Sequence, residues 1–550
     1  MRHLLMGVRN AMNRYMSSVS SCGIILSGAY VVSGLVSEFG LLPPAFLPLA
    51  NKRLYCWQAE SLQKQVVHIL LALPQNFVPD SFDEERLQQD KIATVLVKNN
   101  GTLGNTVREC LDRVPTDIED VLMLFGDTLI SDVSSLPPES LAVGFVQEHS
   151  RWGYCHKNAN GSLTFSESYD VGGADKTPVV AGCFRLNKTR LAKCLDASSR
   201  NFYAALNLYS TQQDLKLVDI GRHWYDFGHI NAYFRSRQSF TTERTFNSLK
   251  IEPRKVLKSG DESTKILAEA AWYENVPRDL NVFLPDYLGR TKKDDRTGYA
   301  TEYLFLTSVS DLFVYGRLPE YVWQQILSGC REFYEICASH SDPAKTVPDC
   351  QWLYVDKTKE RMANFSKARG IELDKPWTFN GKPTLPLNEI FANTLKYMSL
   401  SPKTPASISH GDFHFANIFF DFRSLGIKVV DPRGIINGKT TIYGDARYDL
   451  AKLAHSVDGL YDFILAGIFK ADVTTSYDID FKVTKNAQTE QIQKLFSATK
   501  FNGISPTSKD IRAIVILLFL SMLPLHADNK QRQDTLLANV FRLYVELERA

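Results

Sequence analysis

The sequence predicts two consecutive domains, an α/β domain and then an α+β domain, on three observations. Between residues 22 and 186, short apolar runs of strand type alternate with helical stretches, the signature of a sheet covered by helices. Residues 234–250 are polar and rich in Ser, Thr and Arg, the composition of a boundary. Beyond them strand-like runs are sparse, apart from a hairpin pattern near residues 408–431 in a mostly helical region. The expected division is residues 1–238 and 239–550.

Residues 1–20 carry Arg2, Arg9 and Arg14 with no acid before Glu38, and Ser17, Ser18 and Ser20 interrupt any apolar run. A cleaved signal needs a compact apolar core after its basic region, so a short extension is favoured over a signal. Strands are expected near 22–27, 66–71, 92–97, 121–125 and 179–186, the first running into a turn at Gly28. In the second domain Arg254 to Lys258 reads as a strand and Thr264 to Asn275 as a helix halted by Val276 and Pro277. A further helix opens after Tyr443. The apolar run Ala513 to Leu520 is too short to span a bilayer and is followed by Pro524, so it reads as a buried helix.

At 550 residues the chain is long enough for two or three separate cores. A formal charge of +2 excludes nucleic-acid binding driven by bulk electrostatics. The nine cysteines are scattered, with no CxxC pair and no zinc-type spacing, which points to reduced thiols in a cytoplasmic protein. No membrane insertion is expected, and a homo-oligomer is left open.

The chemistry of the second half rests on one stretch. His410-Gly411-Asp412 is followed five residues after the Asp by Asn417, and fourteen residues later by Asp431, which closes the β-type run Gly426 to Val430. Phosphoryl transfer to an alcohol needs a carboxylate beside the hydroxyl. It also needs an amide oxygen and a second carboxylate to hold the magnesium that neutralises the ATP phosphates. Asp412 fits the first role, Asn417 and Asp431 the metal-binding ones; an Asx-rich turn before an ordinary hairpin is the alternative. The pattern resembles the aminoglycoside-phosphotransferase and choline-kinase superfamily, with HGD where protein kinases carry HRD. The resemblance covers only the second half. It implies a protein-kinase-like bilobal fold, with a small mixed lobe to about residue 306, a helical lobe over 307–550 and a hinge between them at Thr301 to Leu306. It also implies ATP and Mg2+ as ligands, and a strand lysine paired with a helix glutamate. Lys258 and Glu269 are the candidates, with Lys255 the rival lysine and no GxGxxG loop before them. Asp449 resembles the helix aspartate that steadies the catalytic loop, or simply complements the helix dipole. His410 reads as a packed, orienting residue, and His414 as either a substrate contact or a satisfied polar side chain.

In the first half, Cys22 to Leu26 runs into Gly28, Gly101-Thr102 forms a later turn, and Val121 to Phe125 runs into Gly126-Asp127-Thr128. Val180 to Leu186 and Trp224-Tyr225-Asp226-Phe227-Gly228 follow. This order resembles the sugar-phosphate nucleotidyltransferases, a Rossmann-like GT-A fold family that includes phosphocholine cytidylyltransferases. The resemblance implies that the Gly28 loop embraces nucleotide phosphates and that Gly101 and Thr102 approach the base. It also implies that Asp127 and Asp226 hold Mg2+ between two anionic reactants. The chain departs from the family pattern of GxGxR and Pro-Lys: Gly28 to Gly34 contains no Arg, and Pro43-Pro44 stands where the Lys would fall. Lys52 and Arg53, or Lys98, are the candidate replacements. An inactive relative and a glycosyltransferase of similar fold remain open.

Together the resemblances imply a kinase that phosphorylates a small alcohol or sugar with ATP. A nucleotidyltransferase would then couple that phosphate to a second NTP, CTP by analogy with choline activation in bacterial capsule and lipopolysaccharide synthesis. A kinase carrying a silent first domain is the competing reading, and two degenerate enzyme folds serving as an interaction protein a third.

Overall fold

The computed structural model describes residues 21–98, 101–146, 153–158, 162–167, 178–240, 247–252, 254–260, 263–293, 296–342, 349–401 and 405–549. The expected extension over 1–20 and part of the expected boundary stretch, 241–246, lie outside the described residues. The chain divides into two compact units, Met1–Phe240 and Thr241–Ala550. Helix Ile230–Gln238 buries Ala232, Tyr233 and Phe234, so the first part of the polar stretch packs as helix on the first unit.

The first unit is built on one mixed sheet. Four parallel strands run in the order Ile92–Val97, His68–Pro74, Ser21–Leu26, Asp120–Phe125, and Val179–Asn187 joins antiparallel to the last. Ser140–Gly144 and Lys216–Asp219 extend the sheet from Val179–Asn187, as do Tyr154–Lys157 and Leu163–Ser166. The first strand, SCGIIL, is buried throughout, as expected for a central parallel strand with helices on both faces. The strand expected over 66–71 instead covers His68–Pro74. Val66 and Val67 belong to the turn that returns from helix Leu54–Leu62, where their N–H groups bond to Leu62 and Ser21 carbonyls.

The second unit begins with an antiparallel sheet ordered Asn247–Glu252, Lys255–Gly260, Arg296–Glu302, Tyr287–Lys293, covered by helix Ser263–Asn275. Thr307–Ser308 then pairs with the hairpin Ile418–Asp421 and Gly426–Val429. Helices make up most of the remainder. The apolar run 513–520 lies within helix Lys509–Met522, whose Ile511 and Ala513 to Met522 are buried. No helix among the described residues is long and apolar enough to cross a membrane. A four-stranded sheet that the sequence did not announce joins Lys382–Thr384 and Trp377–Phe379 to Asp478–Phe481 and Ala471–Thr475. All nine cysteines are buried and unbridged.

Candidate active sites

In the first unit the strand order reverses between Ser21–Leu26 and Asp120–Phe125: the chain builds outward on one side of the first strand and then crosses to the other. Ligands in open α/β sheets bind beyond the carboxyl ends of the strands at such a switch. Gly28 and Asp127 both lie there, and the Gly126 N–H bonds to the Leu26 carbonyl at 2.9 Å. Buried Gln58 donates to the carbonyls of Phe125, Gly126 and Thr128 and so pins the turn that carries Asp127. Sequence reasoning passed over this residue.

Asp226 reaches the same place from far along the chain. Strand Trp224–Asp226 pairs antiparallel with Thr128–Ile130, and the Phe227 N–H bonds to the Asp127 carbonyl at 2.8 Å. A Cβ on Gly228 would stand 2.6 Å from Asp127 Oδ2 and 3.3 Å from Asp226 Oδ1. Both carboxylates therefore converge on a space that only a glycine leaves open. Burial pushes the Asp127 carboxyl up, with His229 as a partial counterweight. Two hard oxygen donors suit Mg2+, which is held by one or two carboxylates plus phosphates and water. Among the described residues no group of three or more His, Cys, Asp or Glu side chains forms a larger cage.

The other residues named in this half have different surroundings. A Cβ on Gly28 would meet Val97 Cγ2 at 2.5 Å and Thr106 Cγ2 at 3.0 Å, so the glycine permits close packing of loop, strand and helix. The Gly101 N–H bonds to the Lys98 carbonyl, and the Thr102 hydroxyl caps helix Leu103–Leu111 by accepting from the Asn105 N–H. Lys52 pairs with Glu60 at 2.6 Å and lies over the Trp57 ring. The buried guanidinium of Arg53 bonds to Asp83 at 2.9 Å and to the Phe46 carbonyl. A buried cation takes the nearest carboxylate because an unpaired one costs several kcal/mol.

In the second unit Lys258 and Glu269 meet at 2.7 Å, and Lys258 also reaches Asp431 Oδ1 at 3.1 Å. Tyr299, directly across the sheet from Lys258, donates to Glu269 at 3.0 Å. Burial disfavours the Lys258 ammonium, but Asp431 and Glu269 outweigh it and hold its pKa above the ordinary value. Lys255, three positions earlier, projects to the opposite face of the strand and pairs at the surface with Glu252.

The loop after strand Ser407–Ile408 carries Asp412 and Asn417. The Asn417 amide nitrogen bonds to the Asp412 carbonyl at 3.0 Å, and the Asn417 carbonyl accepts from Val430, next to Asp431. Asp449 accepts from the Ser409 hydroxyl and from the N–H groups of His410 and Gly411, so it bonds directly to the loop. His410 is wholly buried between Trp272 and Phe333, and burial draws its pKa down to about 4, leaving a neutral ring. His414 stands 3.7 Å from Asp412 Oδ2. A residue that sequence reasoning missed, Lys452, pairs with Asp412 Oδ1 at 2.8 Å. Desolvation pushes the Asp412 carboxyl up, but Lys452, His414 and Arg433 together hold it well below the usual range. Lys452 lies three residues past Asp449 on helix Ala446–Val457, and that spacing places both on one helix face.

No family model matches the chain, and no curated protein does. Among solved structures it is similar to the UTP-bound UGPase from Acinetobacter baumannii, at 15% identity over 41% of this chain and 95% of that one, TM-score 0.32. It is similar to the inositol-1-phosphate CTP transferase from T. maritima, at 16% identity over 41% and 97% of the two chains, TM-score 0.33. It is also similar to a thermostable mutant of aminoglycoside phosphotransferase APH(4)-Ia in ternary complex with AMP-PNP and hygromycin B. There the identity is 14% over 56% of this chain and 92% of that one, TM-score 0.36. The neighbours are thus of two kinds, nucleotidyltransferase and aminoglycoside phosphotransferase.

Proposed function

We propose that the protein is a bifunctional transferase. Its second unit would move the γ-phosphoryl group of ATP to the hydroxyl of a small alcohol or sugar. Its first would couple the resulting phosphate monoester to a second NTP, CTP by preference, with release of pyrophosphate. The observation that carries the kinase reading is the linked set Lys258–Glu269, Lys258–Asp431 and Asp412–Asn417. Asp412, kept ionised by its cationic neighbours, orients the acceptor hydroxyl and takes its proton as the new P–O bond forms and the bond to ADP breaks. Lys258 holds the α- and β-phosphates. Asn417 and Asp431 are the residues to hold Mg2+, which supplies charge neutralisation on the phosphates when bound. The hinge at Thr301 to Leu306 would take the adenine through backbone groups. In the first unit Asp127 and Asp226 would hold the cation, which would supply charge neutralisation to the anionic reactants. The product would be a nucleotide-activated donor, made in the cytoplasm, for a bacterial surface polysaccharide.

One observation favours a second reading, a kinase whose first unit is catalytically silent. The Gly28 to Gly34 loop has no arginine, and Arg53, a candidate replacement, is buried against Asp83. Mass spectrometry of products from Mg-ATP, each NTP and a panel of alcohols separates the two. Asp412→Ala should lower phosphorylation by about 10²–10⁴-fold. Asp127→Ala should abolish the nucleotide-diphospho product while leaving ADP formation intact. A phosphorylated alcohol as the sole product, unchanged in Asp127→Ala, selects the silent-unit reading.

A further inference from the structure

Each of the two carboxylates in the second site faces one lysine, and the two lysines come from different elements. Lys258 reaches Asp431 Oδ1 from the sheet at 3.1 Å. Lys452 reaches Asp412 Oδ1 from helix Ala446–Val457 at 2.8 Å. Phosphoryl transfer as proposed above gives Lys258 the α- and β-phosphates and leaves Lys452 only the ionisation of Asp412. Lys452 is 8% exposed, while the Asp412 side chain is 26% exposed. The lysine is therefore enclosed, and its carboxylate opens to solvent on the side from which an acceptor hydroxyl can approach.

A lysine ammonium has three N–H donors. Among the described residues the Lys452 ammonium donates no aligned hydrogen bond, and Asp412 is the one carboxylate that pairs with it. The pairing itself is close but not aligned, for Asp412 Oδ1 is a buried oxygen without a hydrogen-bond partner although it lies 2.8 Å from Nζ. The acid one turn earlier on the same helix, Asp449, is taken up by Ser409 and by the N–H groups of His410 and Gly411. A buried ion pair is stable when further hydrogen bonds satisfy its remaining protons, and the described fold gives Lys452 none.

The reaction sharpens the point. The acceptor oxygen bonds to the γ-phosphorus, the bond from that phosphorus to the bridging oxygen breaks with its electron pair going to ADP, and the hydroxyl proton passes to Asp412. Asp412 is then neutral, and Lys452 has lost the counter-charge that the fold gives it. An enclosed cation without a counter-charge is costly. The group that carries negative charge at that moment is the transferred phosphoryl, whose three equatorial oxygens spread the charge of a loose transition state. Its phosphorus bonds to the oxygen whose proton Asp412 takes, so these oxygens arrive beside the Asp412–Lys452 pair. We infer that Lys452 is a catalytic residue of the second unit, pairing with Asp412 before transfer and donating to the phosphoryl oxygens during it. The inference rests on the kinase reading of this unit and adds to it a second lysine on the ATP phosphates, from the helix that carries Asp449.

The first test needs no variant and no knowledge of the acceptor. The full wild-type chain is treated with an acyl-phosphate derivative of ATP, in which the acyl group sits on the γ-phosphate. A lysine amine beside that phosphate attacks the acyl carbonyl, keeps the acyl group as an amide, loses a proton and expels ATP. Peptide mass mapping should find the acyl group on both Lys258 and Lys452, and excess Mg-ATP should suppress both. Modification of Lys258 without Lys452 overturns the inference and leaves the kinase reading standing; modification of neither removes both. The second test measures calorimetric binding of Mg-ADP with and without aluminium fluoride, a mimic of the phosphoryl group in transfer. The fluoride should tighten binding to the wild type, and Lys452→Gln should lose about 30-fold of that gain, the scale of a charge-assisted hydrogen bond. Affinity for Mg-ADP alone should stay unchanged in the variant, which a general disruption of the site would not allow. Equal tightening in Lys452→Gln, or no tightening in the wild type, overturns the inference. If Lys452→Gln does not fold, the labelling decides.

Discussion

Asp449 shows how much a single side chain does in the second unit. Its two oxygens accept three bonds from Ser409, His410 and Gly411, the residues that lead into Asp412. Burial raises its pKa to about 6 against the pull of those donors. As pH falls through that value the carboxylate becomes a carboxyl, one oxygen turns from acceptor to donor, and it then faces N–H groups that also donate. ATP-dependent phosphorylation should therefore fall on the acid side with a midpoint near 6. Asp449→Asn should remove that limb and lower the plateau about 10²-fold, the cost of a small misplacement of the reacting groups. A pH–rate profile of both proteins checks this; an unchanged limb in the variant would shift attention to Asp458, which burial also pushes up to about 6. The site was legible in the sequence to different depths. Spacing alone set Asp412, Asn417 and Asp431 side by side for consideration, because short offsets map onto one loop and one hairpin. Lys452 was within reach of the same logic through its three-residue offset from Asp449. The Arg53–Asp83 pair was not, since thirty residues separate its partners.

At the scale of elements, glycines set the approach of one segment to another. Gly434 has φ +63°, and a Cβ there would stand 2.1 Å from the Ala268 carbonyl oxygen, beside Glu269. The chain after Asp431 thus lies directly on helix Ser263–Asn275. Gly434→Ala must displace that helix and with it Glu269, so the variant should lose about 2 kcal/mol or more of stability and much of its phosphorylation activity. Gly438→Ala is the control. Its φ is +73° but nothing lies within 4 Å of the added carbon, so only backbone strain of about 1–2 kcal/mol is expected, with activity retained. Thermal denaturation alongside the kinase assay compares the two. The long buried strands of the first unit were readable because a continuous apolar run in a parallel sheet needs no partner to be recognised. The sheet joining Trp377–Phe379 to Asp478–Phe481 was not. Its strands are three and four residues long and pair across about a hundred intervening residues.

For the whole molecule, the division after Phe240 leaves a buried core on each side. We propose that the two units are independently folding domains. Residues 241–550 expressed alone should phosphorylate the acceptor with the kcat of the full chain, and residues 1–240 alone should keep whatever nucleotidyl transfer the full chain performs. Loss of the first activity on separation would mean that the kinase site needs the other unit. The sequence by itself determined the two-part organisation, the alternating α/β character of the first part and the spacing of Asp412, Asn417 and Asp431, because each is written in local runs and short offsets. Only the tertiary structure decided that Lys258 rather than Lys255 faces Glu269 and that Asp226 meets Asp127 over Gly228. Those meetings depend on which face of each element is buried and which distant segment covers it, and no local pattern along the chain encodes that.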